Sequence, residues 1–466
     1  MRSLPIRPLV AAVLFALVAV PAFLAGCDSA APSADGTDFG SAGAASSTAE
    51  IIVTGAITTN TTWTSNNNYV LNGIVEVRSG AVLTIQPGTL IQGSSNQPSA
   101  LLVQQGARLE ANGTAASPIV FTSREPVGQR APGDWGGVII VGNSTCNGID
   151  ANGPGQDDCD VEGLPAPFDN LQYGGDPVNP TDNSGTLRYV RIEFAGFELT
   201  PGNEINALTL YSVGSGTTIE FVQTHKGLDD GFEFFGGTFD ARYLLATGIG
   251  DDSFDFSYGY TGRLQFLIAQ LDRFSGDRAF ETDNNETGVG GSPDFLNEPL
   301  TKPVVYNATA IGRFPSDGDD LGLKLRRGVG GEYNNLIIGG FGTFFLDVDD
   351  QETLDNCRDG DLIIRGGVGV PLATGDGLFD PDPINELECV DVPSFSDQDP
   401  RPFPAIISRT NPDFRFRNTS LLTRPNLVQT PPNDGFFLPA DYLGAVAPGI
   451  SQSQAWYAGW SSYPEN

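Results

Sequence analysis

Acidic side chains recur at regular intervals in the middle of this sequence. They form two series: Asp229, Asp251, Asp277 and Asp320, and then Glu233, Asp255, Glu281 and Asp347, with Lys324 in place of an acid between the last two. Asp229 lies four residues before Glu233, and the next three pairs keep that offset, while Asp230 and Asp252 extend the first series. Clustered carboxylates bind hard cations such as Ca²⁺, or serve as the acid and base of glycoside hydrolysis. Either chemistry requires a fold that brings successive members together.

The second series lies at the centre of short patterns that put apolar residues on either side of a charged one, as in strands with one face in a core. The patterns begin at Phe232, Phe254, Phe280, Leu323 and Leu346, with Phe197-Glu198-Leu199 as an earlier member. A further series has the same order of spacing: Arg188-Tyr189-Val190, Glu220-Phe221-Val222, Arg242-Tyr243-Leu244 and Gln265-Phe266-Leu267. Several steps are roughly 22–26 residues, which is too short for a βαβ unit or a propeller blade. The sequence therefore predicts an all-β fold, a parallel β-helix with loop insertions, and a β-sandwich is the alternative.

Stacking in a β-helix would place equivalent carboxylates about 4.8 Å apart, in neighbouring coils. At an effective dielectric constant of 20, such a pair costs about 3 kcal/mol before screening. A column of them therefore requires bound cations, raised pKa values or basic neighbours. We predict a Ca²⁺ site whose ligands are drawn from Asp229, Asp230, Asp251, Asp252, Asp255, Asp277, Glu281 and Asp283. The alternative is that these acids are solvated turn residues of a salt-adapted surface.

Composition excludes some classes of partner and site. The chain has 466 residues, with 57 acidic against 25 basic ones and a formal net charge of −32. Contacts to nucleic-acid phosphates need a basic face, so we expect no nucleic-acid partner. The single histidine, His225, argues against sites built from several imidazoles. We interpret His225 as a structural residue near the edge of the acidic face, with a catalytic role as the alternative.

The first residues have the features of an export signal. Arg2 and Arg7 form a positive segment before an apolar run, Leu9 to Val20, that is shorter than the about 20 residues of a membrane-spanning helix. It leads to Leu24-Ala25-Gly26-Cys27, which is similar to a bacterial lipobox. We predict that residues 1–26 are a signal peptide of the general secretory pathway, that Cys27 is lipidated and that residues 27–49 are a flexible tether. A lipid anchor would hold the protein at the outer membrane or cell surface.

Four further cysteines predict disulfides, because an even number remains in an exported chain. The pairs closest in sequence are Cys146 with Cys159 and Cys357 with Cys389. We expect the β-helix over residues 50–405, with insertion loops near 143–183, 283–302 and 351–405. Residues 406–466 are expected to form a C-terminal cap in which Trp456 and Trp460 close the open end of the helix.

Several segments resemble a known family. The decapeptide from Gly80 to Thr89 is typical of an opening coil, and the other matching segments are 118–123, 133–137, 189–196, 231–237 and 455–460. Together they look like uncharacterised bacterial surface lipoproteins with a right-handed parallel β-helix of the pectin-lyase-like superfamily, of the kind common in Bacteroidota. The resemblance implies a right-handed helix and a surface location, and it implies little about chemistry.

Enzymes of this superfamily suggest the catalytic alternatives. Its polysaccharide lyases use Ca²⁺ to neutralise a uronate and an Arg or Lys to remove a proton, for which Lys324, Arg278 and Arg326 are the candidates. Its glycoside hydrolases use aspartates, but the Gly-His-Gly and Arg-Ile-Lys motifs of the polygalacturonase type are missing from the sequence. We therefore predict a non-catalytic protein with a Ca²⁺-stabilised acidic face that binds an extracellular glycan or an outer-membrane protein partner. A Ca²⁺-dependent lyase or hydrolase is the first alternative, and a structural or adhesion element is the second.

Overall fold

The computed structural model describes most of the chain from residue 49 onward. The described residues are 49–148, 159–161, 164–168, 171–175, 177–200, 203–285, 295–313, 320–342, 345–370, 384–397 and 408–466. The predicted signal peptide, Cys27 and the predicted tether up to residue 48 lie outside them. None of the helices in the described part is long and apolar enough to cross a membrane.

Two long parallel sheets account for most of the described strands. The ten-stranded sheet consists, in spatial order, of β2 (Ala56–Ile57), β5 (Ile74–Val77), β8 (Ala100–Val103), β11 (Gly137–Val141), β17 (Leu208–Tyr211), β19 (Phe232–Phe235), β21 (Phe254–Ser257), β23 (Arg278–Asp283), β25 (Leu321–Arg326) and β27 (Leu346–Val348). Neighbours in this sheet are successive coils, so the chain leaves the sheet and returns to it once per coil. This is the right-handed parallel β-helix that the sequence predicted.

The fifteen-stranded sheet forms the rest of each coil. Its strands are β1 (Ala49–Val53), β3 (Thr61–Trp63), β4 (Asn67–Leu71), β6 (Val82–Ile85), β7 (Leu90–Gly93), β9 (Arg108–Asn112), β10 (Ile119–Ser123), β14 (Gly185–Glu193), β18 (Thr218–His225), β20 (Ala241–Thr247), β22 (Arg263–Gln270), β24 (Val304–Ile311), β26 (Gly331–Gly339), β28 (Leu362–Val370) and β29 (Phe395–Ser396). Early coils have two separate strands here. From β14 onward the two are one long, bent strand.

The bend in each long strand lies at a residue in the left-handed region. In β14, residues 185–188 pair with β9 and residues 190–192 pair with β10, and Tyr189 between them has φ 49°. The equivalent residues in the following coils are Phe221, Tyr243, Phe266, Asn307, Asn335 and Gly366, with φ from 55° to 69°. The first four rings stack with centroids 4.4, 4.3 and 5.0 Å apart. We call these seven bend residues the bend column.

The predicted register is confirmed. Glu233 lies opposite Asp255, which is followed in successive coils by Glu281, Lys324 and Asp347. The apolar neighbours of these residues face the interior, where Phe232, Phe254 and Phe280 stack at 5.1 Å steps. The charged residues therefore lie on the outer face of the ten-stranded sheet.

One predicted repeat is wrong. The strand that precedes β19 in the sheet is β17, so Thr209 and not Glu198 lies opposite Glu233. The segment Glu198–Thr200, which is β15, pairs antiparallel with β16, Asn203–Glu204. The hydrophobic pattern is similar in the two segments, and Leu208-Thr209-Leu210 carries no charge that would have marked it.

Both predicted disulfides are present, and the insertions differ partly from the prediction. Cys146 pairs with Cys159 near the antiparallel pair β12 (Cys159–Asp160) and β13 (Gln172–Tyr173), and Cys357 pairs with Cys389. The segment predicted as a loop over 351–405 contains α1 (Gln351–Asp359) and the coil strand β28. A Gly-Gly pair interrupts the apolar pattern of β28, because Gly366 supplies the left-handed bend. Residues 149–158, 286–294 and 371–383 lie outside the described part.

The C-terminal segment 408–466, which we call the strap, lies along the bend column and contains a short helix, α2 (Thr419–Leu422). Its backbone carbonyls accept hydrogen bonds from bent strands: Asn335 donates to Gln429 (2.7 Å), Asn307 to Tyr442 (2.8 Å), Gln265 to Leu438 (2.9 Å) and Gln223 to Ser462 (2.7 Å). Trp460 packs edge-on against Tyr189 and Phe221. The tryptophans that were expected to close the end of the helix therefore cover its side. The side-chain rings and amides lie at a sharp bend in each coil of the bend column, so they need such a cover along its whole length.

Candidate metal centre

The acidic face is built at the turns that enter the ten-stranded sheet. Coil register places Asp229, Asp251 and Asp277 in one column and Asp230 and Asp252 in the next. Asp230 and Asp252 lie two residues before the first residues of β19 and β21. Glu233, Asp255 and Glu281 form the third column, on the strands themselves. The sequence spacing alone predicted these columns, and the structure brings the carboxylates into mutual reach.

Four overlapping groups of three carboxylates have all their nearest oxygens within 4.8 Å of one another. The groups are Asp229–Asp230–Asp251, Asp251–Asp252–Asp277, Asp230–Glu233–Asp255 and Asp252–Asp255–Glu281. Each of the first two groups contains one buried carboxylate, Asp230 or Asp252, together with the exposed carboxylate of Asp251. An oxygen set of this kind, with one side open to solvent, fits Ca²⁺, which takes carboxylate ligands together with water or a bound ligand.

Burial of Asp230 and Asp252 has a backbone explanation. Asp230 Oδ1 accepts a hydrogen bond from the Asp252 N–H (2.9 Å), and Asp252 Oδ1 accepts one from the Arg278 N–H (2.8 Å). One coil earlier, Asn206 Oδ1 accepts from the Asp230 N–H (3.0 Å). A neutral amide thus does at Asn206 what the carboxylates do in the next two coils. The ladder requires an oxygen acceptor and does not require a charge.

Charge at this ladder is costly to the folded protein. Burial raises the pKa of Asp230 well above its usual range, and repulsion from Asp229 and Asp252 raises it further. Burial also raises the pKa of Asp252 well above its usual range, and a hydrogen bond that protonated Asp252 donates to Glu281 adds to this. A proton shared between Asp252 and Glu281 therefore offsets part of the negative charge when no cation is bound.

Arg278 is the cation closest to the ladder. Its guanidinium lies 2.5 Å from Asp277, 3.3 Å from Glu281 and 3.7 Å from Asp252. Burial would raise the pKa of Glu281, but the hydrogen bond from Asp252 and the charges of Arg278 and Arg326 outweigh it and lower that pKa. Arg278 thus offsets negative charge in the last coil of the acidic face. The coils of Asp230 and Asp252 keep more carboxylates than basic side chains.

The other two basic candidates are held in ion pairs. Arg326 binds Glu281 and Asp283, the latter at 2.7 Å. Lys324 binds Asp347 at 2.6 Å and Asp349 at 3.2 Å, one coil beyond the acidic groups. Lys324 therefore relieves repulsion at the far end of its column.

Asp283 takes part in a different contact from the one predicted. Besides Arg326, it binds Arg327, and it belongs to none of the four carboxylate groups found among the described residues. Burial raises its pKa to about 6 even against these two arginines. The neighbouring amides are also occupied, since Asn284 and Asn147 hydrogen-bond each other and hold the insertion that follows β23. We therefore place Asp283 beside the metal centre.

His225 lies on the fifteen-stranded sheet and is buried. Its Nδ1 is 2.8 Å from Thr247 Oγ1, and its Nε2 is 2.8 Å from the Pro464 carbonyl in the strap. Burial lowers its pKa, which keeps the ring neutral. These contacts tie the end of the strap to the coil.

Two residues of the site were missed by sequence reasoning. Glu233 belongs to a carboxylate group with Asp230 and Asp255 but was assigned only to the column. Asn206 begins the ladder, and the wrong repeat at 197–199 hid its equivalence to Asp230. Aligning the pattern at Leu208 would have revealed Asn206, because it places Asn206 two residues before a strand, as Asp230 is.

The observation that assigns the family is a match over two thirds of the chain. A family model described as a pectate-lyase-like beta helix domain matches residues 55–368. The chain belongs to the pectate-lyase-like β-helix family. No curated protein and no solved structure matches it. In this pectate-lyase-like β-helix, the matched region includes all four carboxylate groups and ends in β28, so the strap is an addition beyond the family domain.

Proposed function

We propose that this protein is a cell-envelope lipoprotein that holds Ca²⁺ on the acidic face of its β-helix and binds an acidic extracellular glycan there without cleaving it. The observation that carries the proposal is the set of four overlapping carboxylate groups on successive coils. Asn206 shows that the fold could use neutral acceptors at these positions. The backbone hydrogen bonds at these positions need only an oxygen acceptor, and the buried carboxylates repel one another. A bound cation would explain why these positions carry charge.

The open side of the groups supports a glycan ligand. Asp251 is exposed, and Asp277 is partly exposed, while Asp230 and Asp252 are buried beneath them. A cation held from below by the buried carboxylates would keep coordination positions toward solvent. A uronate carboxylate or sugar hydroxyl supplies oxygen ligands for those positions. Repetition along the coils would let a polymer be bound at more than one point.

The contacts of the basic residues favour binding over lyase chemistry. Burial works to lower the pKa of Arg278, but Asp252, Glu281 and Asp277 outweigh it and raise that pKa. Asp283 and Glu281 likewise raise the pKa of Arg326 against the effect of burial. A guanidinium with a raised pKa stays protonated and so cannot accept a proton from a substrate, and both groups are already engaged with carboxylates. The lyase is nevertheless the second candidate, because Arg278 and Arg326 lie beside the carboxylates.

Hydrolysis is less well supported. Asp230 and Asp252 are 6% and 2% exposed. A bare cation fits between such carboxylates, whereas a glycosidic bond has to lie between the acid and the base with its sugar rings around it. Exposed Asp251 and partly exposed Asp229 share one group and repel each other when both are ionised.

The test is glycan retention with a matched assay of cleavage. We expect purified protein to bind polygalacturonate in Ca²⁺ and to lose binding in chelator. The double variant Asp230→Asn and Asp252→Asn keeps the acceptors of the ladder and should bind at least about tenfold more weakly, the effect of losing a charged contact of about 1.4 kcal/mol. Asp355→Asn, at an exposed aspartate of α1, is the control.

Products distinguish the rivals in the same samples. Binding with no new ultraviolet absorbance from unsaturated uronates and no new reducing ends supports the proposal. Either product, lost in the Asp230 and Asp252 double variant, would replace it with a lyase or a hydrolase. Equal binding in Ca²⁺ and chelator would remove the cation, and retention of no glycan would leave the partner-protein or structural alternatives.

The anchor has its own test. Cys27→Ser should move the protein from the membrane fraction to the soluble exported fraction, because thioether lipidation requires the thiol. Export with unchanged membrane retention would contradict the anchor.

A further inference from the structure

A cleft of about 360 Å³ lies on the other side of the same turns, between the coils and the strap. Lys226, Asp272, Arg273 and Phe274 line it from the coils, and Arg409 and Tyr463 line it from the two ends of the strap. The volume is within the range of sites for small organic molecules, roughly 300–1,000 Å³. The cleft therefore exists because the strap lies along the helix, and it is separate from the four carboxylate groups.

Its charge is opposite to that of the acidic face. Lys226 Nζ lies 3.3 Å from Asp272 Oδ2, and the same carboxylate faces Arg409. Arg273 lies close enough to Arg409 to repel it. Three cations thus line the cleft with Asp272 and exposed Glu465 as the acids among its lining residues. A net positive cleft in a chain of net charge −32 needs an explanation.

Burial makes the excess charge matter. It lowers the pKa of Arg409, and repulsion from Arg273 acts in the same direction against the attraction of Asp272. His225, at the inner end, adds no charge because burial lowers its pKa as well. An anion that entered the cleft would therefore meet the partly desolvated guanidinium of Arg409, which binds a carboxylate more strongly than a fully solvated one does.

Two aromatic rings complete the site. Phe274 is 84% exposed, although it is a large apolar side chain, and its ring lies 5.6 Å from the Arg273 guanidinium. Tyr463 lines the same cleft from the strap. Stacking with a flat ring would cover the exposed Phe274 ring and remove apolar area from water. Cations beside rings select a flat apolar body that carries a carboxylate.

We propose that this cleft binds a small aromatic carboxylate, with its carboxylate at Arg409 and Arg273 and its ring against Phe274. The acidic face and Ca²⁺ take no part in it. The strap would then do more than cover the bend column, because Arg409 and Tyr463 bring its two ends together at the ligand.

Benzoate is the probe, and all measurements are made on the full exported chain in chelator, so that failure of the Ca²⁺ proposal cannot affect the outcome. Ligand-observed NMR titration should show benzoate binding. Benzamide, which has the ring without the charge, and acetate, which has the charge without the ring, should each bind at least about tenfold more weakly, since each lacks one contact of about 1.4 kcal/mol.

Variants test the assignment of each contact. Arg409→Gln and Arg273→Gln should each weaken benzoate binding at least about tenfold, and Phe274→Ala should weaken benzoate but leave acetate unchanged. Arg273 is exposed, so its variant tests the site even where loss of Arg409 disturbs the strap. Arg358→Gln on α1 is the matched control. Benzoate binding that survives Arg273→Gln, equal binding of benzamide, or no binding of benzoate would each overturn the proposal.

Discussion

The acidic face and the bend column repeat one kind of side chain from coil to coil, and the two repeats have opposite energetic signs. Along the bend column, Tyr189, Phe221 and Tyr243 stack at 4.4 and 4.3 Å, so each added coil adds an attractive contact. Along the acidic face, Asp230 and Asp252 repel each other, so each added coil adds a cost. In a solenoid the contact between neighbouring coils recurs with every coil, so its energy is added each time, whether favourable or unfavourable.

The two regions resolve this difference by different means. The bend column is covered by the chain itself, because the strap supplies Trp460 and a row of backbone carbonyls. The acidic face receives two arginines, Arg278 and Arg326, both in ion pairs with Glu281. We infer that the rest of its compensation comes from a bound ligand.

The largest expected effect is the loss of Trp460. Its indole is 1% exposed, lies 5.8 Å from the Tyr189 ring and donates a hydrogen bond to the Trp456 carbonyl (2.8 Å). Trp460→Ala should lower the free energy of unfolding by about 3–5 kcal/mol, measured by chemical denaturation. Phe274→Ala, at an exposed ring, should change it by less than about 0.5 kcal/mol. A similar small change for both would show that the strap does not stabilise the column.

Next in size is the effect of Ca²⁺ on the acidic face. At high fixed salt, free Ca²⁺ at 100 times its dissociation constant should stabilise the protein by about 2.7 kcal/mol relative to chelator, seen as a higher melting temperature. Mg²⁺ at the same concentration should do less, because it demands a regular octahedral site. Trp460→Ala should keep the Ca²⁺ shift, since Trp460 packs on Tyr189 and Phe221 of the fifteen-stranded sheet and the carboxylates lie at the ten-stranded one. An unchanged melting temperature in Ca²⁺ would contradict the cation site.

The sequence predicted the positions of the bend column and of the acidic columns, but it did not predict which segment covers the bend column. The positions of Phe221, Tyr243 and Phe266 gave the coil register, and with it the stacking of Glu233, Asp255 and Glu281. The direction of the strap was not predictable, because its hydrogen bonds to the bent strands are accepted by backbone carbonyls, which any sequence carries. Those contacts also explain Gly366: a Cβ there would lie 2.3 Å from the Leu427 carbonyl oxygen.

The sequence predicted where the site residues lie better than it predicted which groups their side chains contact. Asp283 and Asp252 both looked like ligands beside a strand, yet one binds two arginines and the other accepts an N–H from the next coil. Which occurs depends on whether the next coil places an arginine or a backbone amide opposite, and inserted loops of unequal length obscure that choice in the sequence.

The smallest effect tests the sign of the charge at the ladder. Asp252→Asn keeps the Oδ1 acceptor for Arg278 and removes the charge. In chelator at pH 8 it should therefore raise the free energy of unfolding by about 0.2–1 kcal/mol, the range for facing like charges on neighbouring strands. Most aspartate substitutions in a hydrogen-bonded ladder would destabilise, so a gain is diagnostic. Asp355→Asn, on the exposed side of α1, should give no gain.

The pH dependence of that gain follows from the raised pKa of Asp252. The folded protein holds this proton more tightly than the unfolded chain does. The stability that the protonated group contributes is complete below the ordinary aspartate pKa, near 3.9, and is lost as pH rises through the folded-state value. The difference between Asp252→Asn and the parent protein in chelator should therefore be largest at pH 8 and shrink as pH falls toward 4. Ca²⁺ should reverse its sign at pH 8, because the parent protein then gains a ligand that the variant has lost. A variant that is less stable at every pH would mean that the carboxylate belongs to the fold and not to a cation.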